Sequence, residues 1–136
     1  MPAQAIEQND QIFRLFNMKL EEVSRGRSLV SMPVADCMLN GMGIVHGGAL
    51  FSLADIAFGA AANYGSKTGT VTVSSHISYL AAGRKGPITA EANCVRAGKH
   101  VVVYDVEIRD ADKVLLAKGT FEGFRTDTPL PAACEK

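Results

Sequence analysis

The longest apolar segment of the chain lies between Ala49 and Tyr64. Within it, only three side chains can form hydrogen bonds or ionise, namely Ser52, Asp55 and Asn63. A helix that is apolar all round is a buried helix. We therefore predict one long helix, with Gly47 and Gly48 at its start, that is buried on every side.

Two residues inside this predicted helix should destabilise it. Asp55 has apolar neighbours, and a carboxylate in such surroundings costs several kcal/mol unless it is paired, hydrogen-bonded or protonated. Gly59 lowers helix propensity by roughly 1 kcal/mol relative to alanine, a cost that packing has to offset. The position of Asp55 in particular asks for a functional explanation.

After the helix, the pattern changes to β-type segments separated by turns. Breaker residues at 65–69, 83–86, 97–99 and 110–112 separate four predicted strands, at residues 70–80, 87–96, 100–109 and 114–125. Alternation in the third strand predicts four core residues: Val102, Tyr104, Val106 and Ile108. Because short turns join consecutive strands, we expect an antiparallel sheet.

The segments before the helix are shorter. Residues 8–17 predict an amphipathic helix capped by Asn9 or Asp10. Residues 18–25 and 28–34 fit a hairpin, and residues 35–45 predict a loop that brings Asn40 beside the long helix. A sheet must wrap that helix to cover its apolar surface, so the fold class is α+β. We expect one domain over residues 1–136, with a disordered tail from about residue 126.

Composition narrows the possible functions. The 136 residues include 14 basic and 14 acidic side chains, which argues against a nucleic-acid surface held by general electrostatics. No segment has the pattern of a signal peptide or a membrane span, so we expect a cytoplasmic protein with no membrane partner. Cys37, Cys94 and Cys134 lack CxxC spacing and are expected to be free thiols. A catalytic Cys37 is the minor alternative.

The predicted start of the helix offers a catalytic device. The first N–H groups of a helix have no internal acceptor and lie at the positive end of the dipole, where a developing oxyanion binds. Gly47 and Gly48 leave these donors accessible, although two glycines can also serve only to form a tight turn. Asp55 could attack a carbonyl carbon or deprotonate a water, or it could be a structural aspartate bonded inside the core.

A family resemblance is carried by residues around the helix start. Asn40, Gly43, the run His46-Gly47-Gly48, Leu53 and Asp55 match the pattern N-x-x-G-x-x-H-G-G-x-x-x-x-L-x-D. The sequence thereby resembles the hotdog-fold acyl-CoA thioesterases, in particular the PaaI-like branch, from about residue 11 to residue 125. The resemblance implies a curved antiparallel sheet around one helix and two sheets joined edge to edge in a homodimer. It also implies hydrolysis of an acyl-CoA thioester, with coenzyme A as part of the substrate and no further cofactor.

The resemblance also implies roles for individual residues. The Gly47 amide would polarise the thioester carbonyl, and the Asn40 side chain would add a second donor. His46 would orient the loop or cap the helix, with direct catalysis as the alternative. Thr72 lies where some members carry a hydroxyl that positions the nucleophile, and Ser74 or Ser75 could take that role instead.

The binding of coenzyme A phosphates would need local positive charge. We expect Gly48 beside the ligand, and the candidate cations near turns or strand ends are Arg84, Lys85, Arg96, Lys99 and Lys118. Each of them could equally be solvated surface. The Arg-Pro pair found after the corresponding strand in many relatives is replaced here by residues 81–84. The three histidines share no metal-ligand spacing, so we expect no metal site.

Two other functions share this fold. One is an enoyl or hydroxyacyl thioester hydratase or dehydratase, and the other is a non-catalytic acyl-CoA-binding protein.

Helix geometry also predicts how a thioesterase site would be assembled. Gly47 and Asp55 are eight residues apart, hence about 12 Å apart along one helix, so a single carbonyl cannot reach both. We therefore expect active sites shared between two chains, with a dimer of dimers as the resemblance implies.

Overall fold

The computed structural model describes residues 6–7 and 9–131. Helix α1 covers Gln11–Leu15, and helix α2 covers Gly47–Asn63. A 3₁₀ turn covers Asp36–Met38 between them. The strands are β1 (Lys19–Ser24), β2 (Arg27–Met32), β3 (Thr68–Tyr79), β4 (Ile88–Ala97), β5 (Val101–Arg109) and β6 (Leu115–Pro129).

All six strands form one antiparallel sheet in the order β1-β2-β4-β5-β6-β3. The sheet packs around α2, which contacts every strand. This is the α+β arrangement that the sequence predicted. The hairpin of β1 and β2 and the short helix α1 are also confirmed, and α1 is capped by Asp10, whose carboxylate accepts the N–H of Phe13 at 2.9 Å.

The short connection after β3 does not place β4 beside it in the sheet. β3 pairs with β6 at the sheet edge, whereas β4 pairs with β2 and β5. The intervening residues 80–87 cross the end of the sheet. Gly83 fixes the path of this connection, because its carbonyl accepts the Val45 N–H at 2.8 Å. A Cβ on Gly83 would lie 3.1 Å from Leu116, so a larger residue has little room there. The crossing leaves β3 free to line one side of α2.

The core lies between α2 and the concave face of the sheet. The four predicted core residues of β5 are all buried, which confirms the alternation. Phe58 of α2 meets Tyr104 edge-on at 5.2 Å and stacks on Phe121 at 5.8 Å. Burial of the Tyr104 ring, with a smaller contribution from Cys94, raises the pKa of Tyr104 to about 12.

The expectation that α2 is buried on every side is wrong for one stripe. From residue 51 onward, the partly exposed positions within the helix recur every three or four residues and therefore share one helical face: Phe51, Ser52, Asp55, Ile56, Gly59 and Ala62. Beside this stripe lies β3, an edge strand whose Val71 and Val73 are 51% and 61% exposed. The sheet encloses the other sides of the helix and leaves this face open.

The predicted tail begins too early. β6 continues to Pro129, and Thr70 pairs with Arg125 in the β3–β6 ladder. Thr126 belongs to the same strand and donates to the Gly69 carbonyl at 2.6 Å. Residues 132–136 lie outside the described part of the chain. No helix among the described residues is long and apolar enough to cross a membrane.

Candidate active site

The N-terminus of α2 leaves one backbone donor open. His46 is the N-cap, and its Nδ1 accepts the Gly48 N–H at 3.0 Å. Its carbonyl accepts the N–H groups of Ala49 and Leu50. The Gly47 N–H has no acceptor within the described residues, so it is the donor of this helix start that is available to a ligand.

The capping bond also indicates which nitrogen of a neutral His46 ring carries the proton. Because Nδ1 accepts a hydrogen bond, the proton of the neutral ring lies on Nε2. The bond occupies the Gly48 N–H, which is therefore not the free donor that the sequence suggested. His46 therefore makes the capping contact, which is one of the roles that the sequence left open. The alternative was direct catalysis.

Tyr79 covers the other side of the helix start. Its hydroxyl donates to the Gly47 carbonyl at 3.0 Å, and a Cβ built on Gly47 would lie 3.2 Å from its ring. Partial burial raises the pKa of Tyr79, so the hydroxyl keeps its proton at neutral pH. Sequence reasoning missed this residue. Alternation from Ile77 to Tyr79 was the available signal, whereas Thr72 shares this face only because a bulge lies between Thr72 and Ser74.

Asn40 lies in a small hairpin directly before the helix. Leu39 and Val45 form a β-bridge, which closes this hairpin at its base, directly before the N-cap. The Asn40 Oδ1 accepts the N–H groups of Met42 at 2.9 Å and Ile44 at 3.4 Å. Its Nδ2 makes no bond within the described residues, so that amide group keeps two donors for a ligand.

Asp55 and Thr72 form the second part of the site. Thr72 lies on β3, and its Oγ1 donates to Asp55 Oδ1 at 2.7 Å. The predicted contact is therefore present, and no bond from Ser74 or Ser75 to Asp55 occurs in the described chain. Asp55 is half-buried rather than enclosed, because it lies on the open stripe of α2. Its second carboxylate oxygen makes no hydrogen bond or ion pair within the described residues.

A cavity of about 400 Å³ adjoins this pair. One side is α2, with Ile56, Gly59 and Asn63, and the other is the first half of β3. Asn63 links the two sides, since its Nδ2 donates to the Gly59 carbonyl at 3.0 Å and its Oδ1 accepts the Thr70 N–H at 2.7 Å. The cavity therefore runs along the helix from Asp55 toward the helix C-terminus.

Four of the five candidate cations fall into two distant pairs. Arg84 and Lys85 lie before β4, next to the start of α2, and Lys85 pairs with Asp112 at 2.8 Å. The hydrogen bond to Asp112 raises the pKa of Lys85. Arg96 and Lys99 lie at the far end of β4, a strand of 10 residues, hence about 30 Å away. One coenzyme A phosphate cannot contact both pairs of a single chain.

The cysteines and potential metal ligands among the described residues add no further reactive group to this site. Cys37 and Cys94 are exposed free thiols, and Cys134 lies outside the described residues. Across residues 6–7 and 9–131, no group of three His, Cys, Asp or Glu side chains could hold a metal ion.

Comparison with known proteins identifies the family of this chain. The profile of the Thioesterase superfamily matches residues 42–117, more than half of the 136 residues. The chain is a PaaI-like member of the thioesterase superfamily. The acyl-coenzyme A thioesterase PaaI of Escherichia coli is 38% identical over 109 residues, which cover 78% of this chain and 76% of PaaI.

Solved structures place this PaaI-like chain within the hotdog fold. The structure of the Escherichia coli PaaI protein superposes with a TM-score of 0.90 and 32% identity, and it covers 95% of this chain and 94% of that one. A hypothetical thioesterase of Streptococcus pneumoniae, solved with coenzyme A, has a TM-score of 0.77 and 32% identity. That match covers 84% of this chain and 89% of the other. The expected fold and family are both confirmed.

Proposed function

We propose that this protein hydrolyses an acyl-CoA thioester to a free acid and coenzyme A. The observation that carries the proposal is the free Gly47 N–H at the start of α2. It lies at the positive end of the helix dipole, and Asn40, in the hairpin directly before the helix, has a free Nδ2. Two such donors suit a thioester carbonyl whose oxygen becomes negative in the transition state.

Asp55 supplies the attacking group in this proposal. As a nucleophile, its free carboxylate oxygen adds to the carbonyl carbon, coenzyme A leaves as a thiolate that takes a proton, and water then hydrolyses the mixed anhydride. As a general base, Asp55 takes a proton from a water whose oxygen attacks the carbonyl directly. In both routes Thr72 holds one carboxylate oxygen and leaves the other directed at the substrate.

Each complete site needs two chains. Gly47 and Asp55 of one helix are about 12 Å apart, whereas one carbonyl must lie near 3 Å from both donor and attacking group. β3 supports a dimer, because it is an edge strand with exposed valines and it borders the open stripe of α2. A second copy paired along β3 would bring its Gly47 toward Asp55 of the first. A further pairing of dimers stays a prediction.

Coenzyme A enters the proposal as part of the substrate, and the proposed chemistry uses no metal or redox cofactor. Of the five candidate cations, Arg84 has the best position for a phosphate. It follows Gly83, whose carbonyl is bonded to Val45 one residue before the N-cap, and it makes no ion pair within the described residues. The coenzyme A bound to the Streptococcus pneumoniae relative supports this ligand class.

The test is thiol release by the purified protein. Acetyl-CoA, hexanoyl-CoA and benzoyl-CoA would be offered with a free-thiol reagent, and Asp55→Asn is the matched control because it keeps the shape of the side chain. We expect release from at least one substrate, and a loss of roughly 10²-fold or more in Asp55→Asn.

Two results would contradict the proposal. Hydration of an enoyl thioester without thiol release would favour a hydratase. Tight binding of acyl-CoA without release would favour a non-catalytic acyl-CoA-binding protein.

A further inference from the structure

Gly59 differs from the other buried or half-buried glycines of the fold. A Cβ at Gly47, Gly83 or Gly123 would meet another residue of the chain at 3.2 Å or less, whereas a Cβ at Gly59 would meet nothing within 4 Å. Packing within the chain therefore does not require a glycine at this position. A glycine in the middle of a helix nevertheless weakens it relative to alanine, so its cost needs another explanation.

The space beside Gly59 is the cavity next to Asp55. Gly59 follows Asp55 by one helical turn and lies on the same open stripe, about 6 Å further along the helix. It forms the floor of the cavity of about 400 Å³, with Ile56 and Val71 on the walls. A side chain at Gly59 would project into this space.

We propose that Gly59 determines the size of the acyl group that the site accepts, and that the cavity above it receives a bulky apolar acyl group. This inference rests on the proposed thioesterase function. If the thioester carbonyl lies at Asp55, an acetyl group ends before Gly59, whereas a ring or a chain of about six carbons reaches it. Filling the cavity removes apolar surface from water, which favours the larger group.

The polar atoms around the cavity agree with an apolar ligand. The Asn63 side chain is bonded through both Oδ1 and Nδ2 to backbone groups of Thr70 and Gly59. Asp10, at the rim, uses its Oδ1 to cap α1. Both ends of the Asn63 amide and one of the two Asp10 carboxylate oxygens therefore have partners already, which lowers the need for a hydroxyl of the substrate at the far end of the cavity.

The test compares Gly59→Ala and Gly59→Leu with the unchanged protein on acetyl-CoA, hexanoyl-CoA and benzoyl-CoA. Since Gly59→Ala clashes with nothing and improves helix propensity, we expect its melting temperature to rise by about 2–5 °C. For Gly59→Leu we expect kcat/KM to fall roughly 10-fold or more on hexanoyl-CoA and benzoyl-CoA. On acetyl-CoA it should stay within about threefold.

Ala62→Leu is the matched control. Ala62 lies on the same open stripe but lines a different cavity, next to Arg25 and Cys94, so its enlargement should not change substrate preference. An equal loss on all three substrates in Gly59→Leu, or no loss on any, would overturn the inference while the proposed function stands. So would dissociation of the assembly in size-exclusion chromatography, because Gly59 would then contact a second copy. An unchanged protein that releases thiol from none of the substrates would overturn the proposed function itself, and this inference with it.

Discussion

At the residue scale, the contact between Thr72 and Asp55 is the most informative. A threonine on β3 and an aspartate on α2 are 17 positions apart in sequence, yet their oxygens lie 2.7 Å apart. The hydroxyl hydrogen satisfies one carboxylate oxygen, so the carboxylate has a defined direction on a face that is otherwise open. In the proposed mechanism, Thr72 positions Asp55 without touching the substrate.

Loss of this hydrogen bond should lower turnover without unfolding the protein. A hydrogen bond to a charged group contributes about 1.5–3 kcal/mol, so we expect Thr72→Val to lower kcat by roughly 10- to 100-fold at nearly unchanged KM. Thr72 is exposed, and the melting temperature should change little. Thr72→Ser keeps the hydroxyl and should restore most of the rate, and equal rates for the valine and serine variants would contradict the positioning role.

At the scale of elements, the start of α2 combines a cap and a donor. His46 caps the Gly48 N–H, and Tyr79 bonds the Gly47 carbonyl. Both ends of the Gly47–Gly48 peptide unit are thus held. The preceding N–H of Gly47 stays open, because the cap takes its hydrogen bond from the next residue. The helix start is therefore rigid while it still presents a donor.

Substitution of His46 should separate capping from direct catalysis. Loss of an N-cap costs about 0.5–2 kcal/mol of stability, and we expect His46→Ala to show this loss in denaturant unfolding together with reduced thiol release. Asparagine is a good N-cap, so His46→Asn should regain stability and keep kcat within several-fold of the unchanged protein. If both variants lose turnover equally while His46→Asn is fully stable, the imidazole takes part in the chemistry.

At the scale of the whole molecule, one chain contains both halves of the proposed site but does not bring them together. The free Gly47 N–H and the Asp55 carboxylate belong to the same helix, about 12 Å apart. The open stripe of α2 and the unpaired edge of β3 lie side by side. Two antiparallel copies related by a twofold axis would join the halves and form two sites.

Complementation tests this assembly. Asn40→Ala and Asp55→Ala chains, each of low activity alone, would be unfolded together and refolded. A heterodimer has one intact site and one doubly damaged site, and random mixing makes about half of the dimers heterodimers. We therefore expect roughly a quarter of the unchanged activity. No recovery despite verified subunit exchange would mean that the whole site lies within one chain.

Much of the fold could be predicted from local patterns. Alternation identified the core face of β5, and the long apolar segment with its two initial glycines identified α2. The neighbours of β3 could not be predicted, because the crossing at residues 80–87 depends on contacts of Gly83 with Val45 and Leu116. Those residues are far apart in sequence, and no local pattern records their contact.

The sequence by itself determined the α+β class, the family, and the positions of Gly47, Asn40 and Asp55, because short-range spacing along one helix and one loop defines them. Only the tertiary structure decided which groups are already bonded. It showed that the Gly48 N–H is occupied by His46, that Tyr79 covers Gly47, and that Gly59 borders open space rather than a neighbour. A free donor or an empty space depends on what every distant part of the chain leaves uncovered, and that depends on packing in three dimensions.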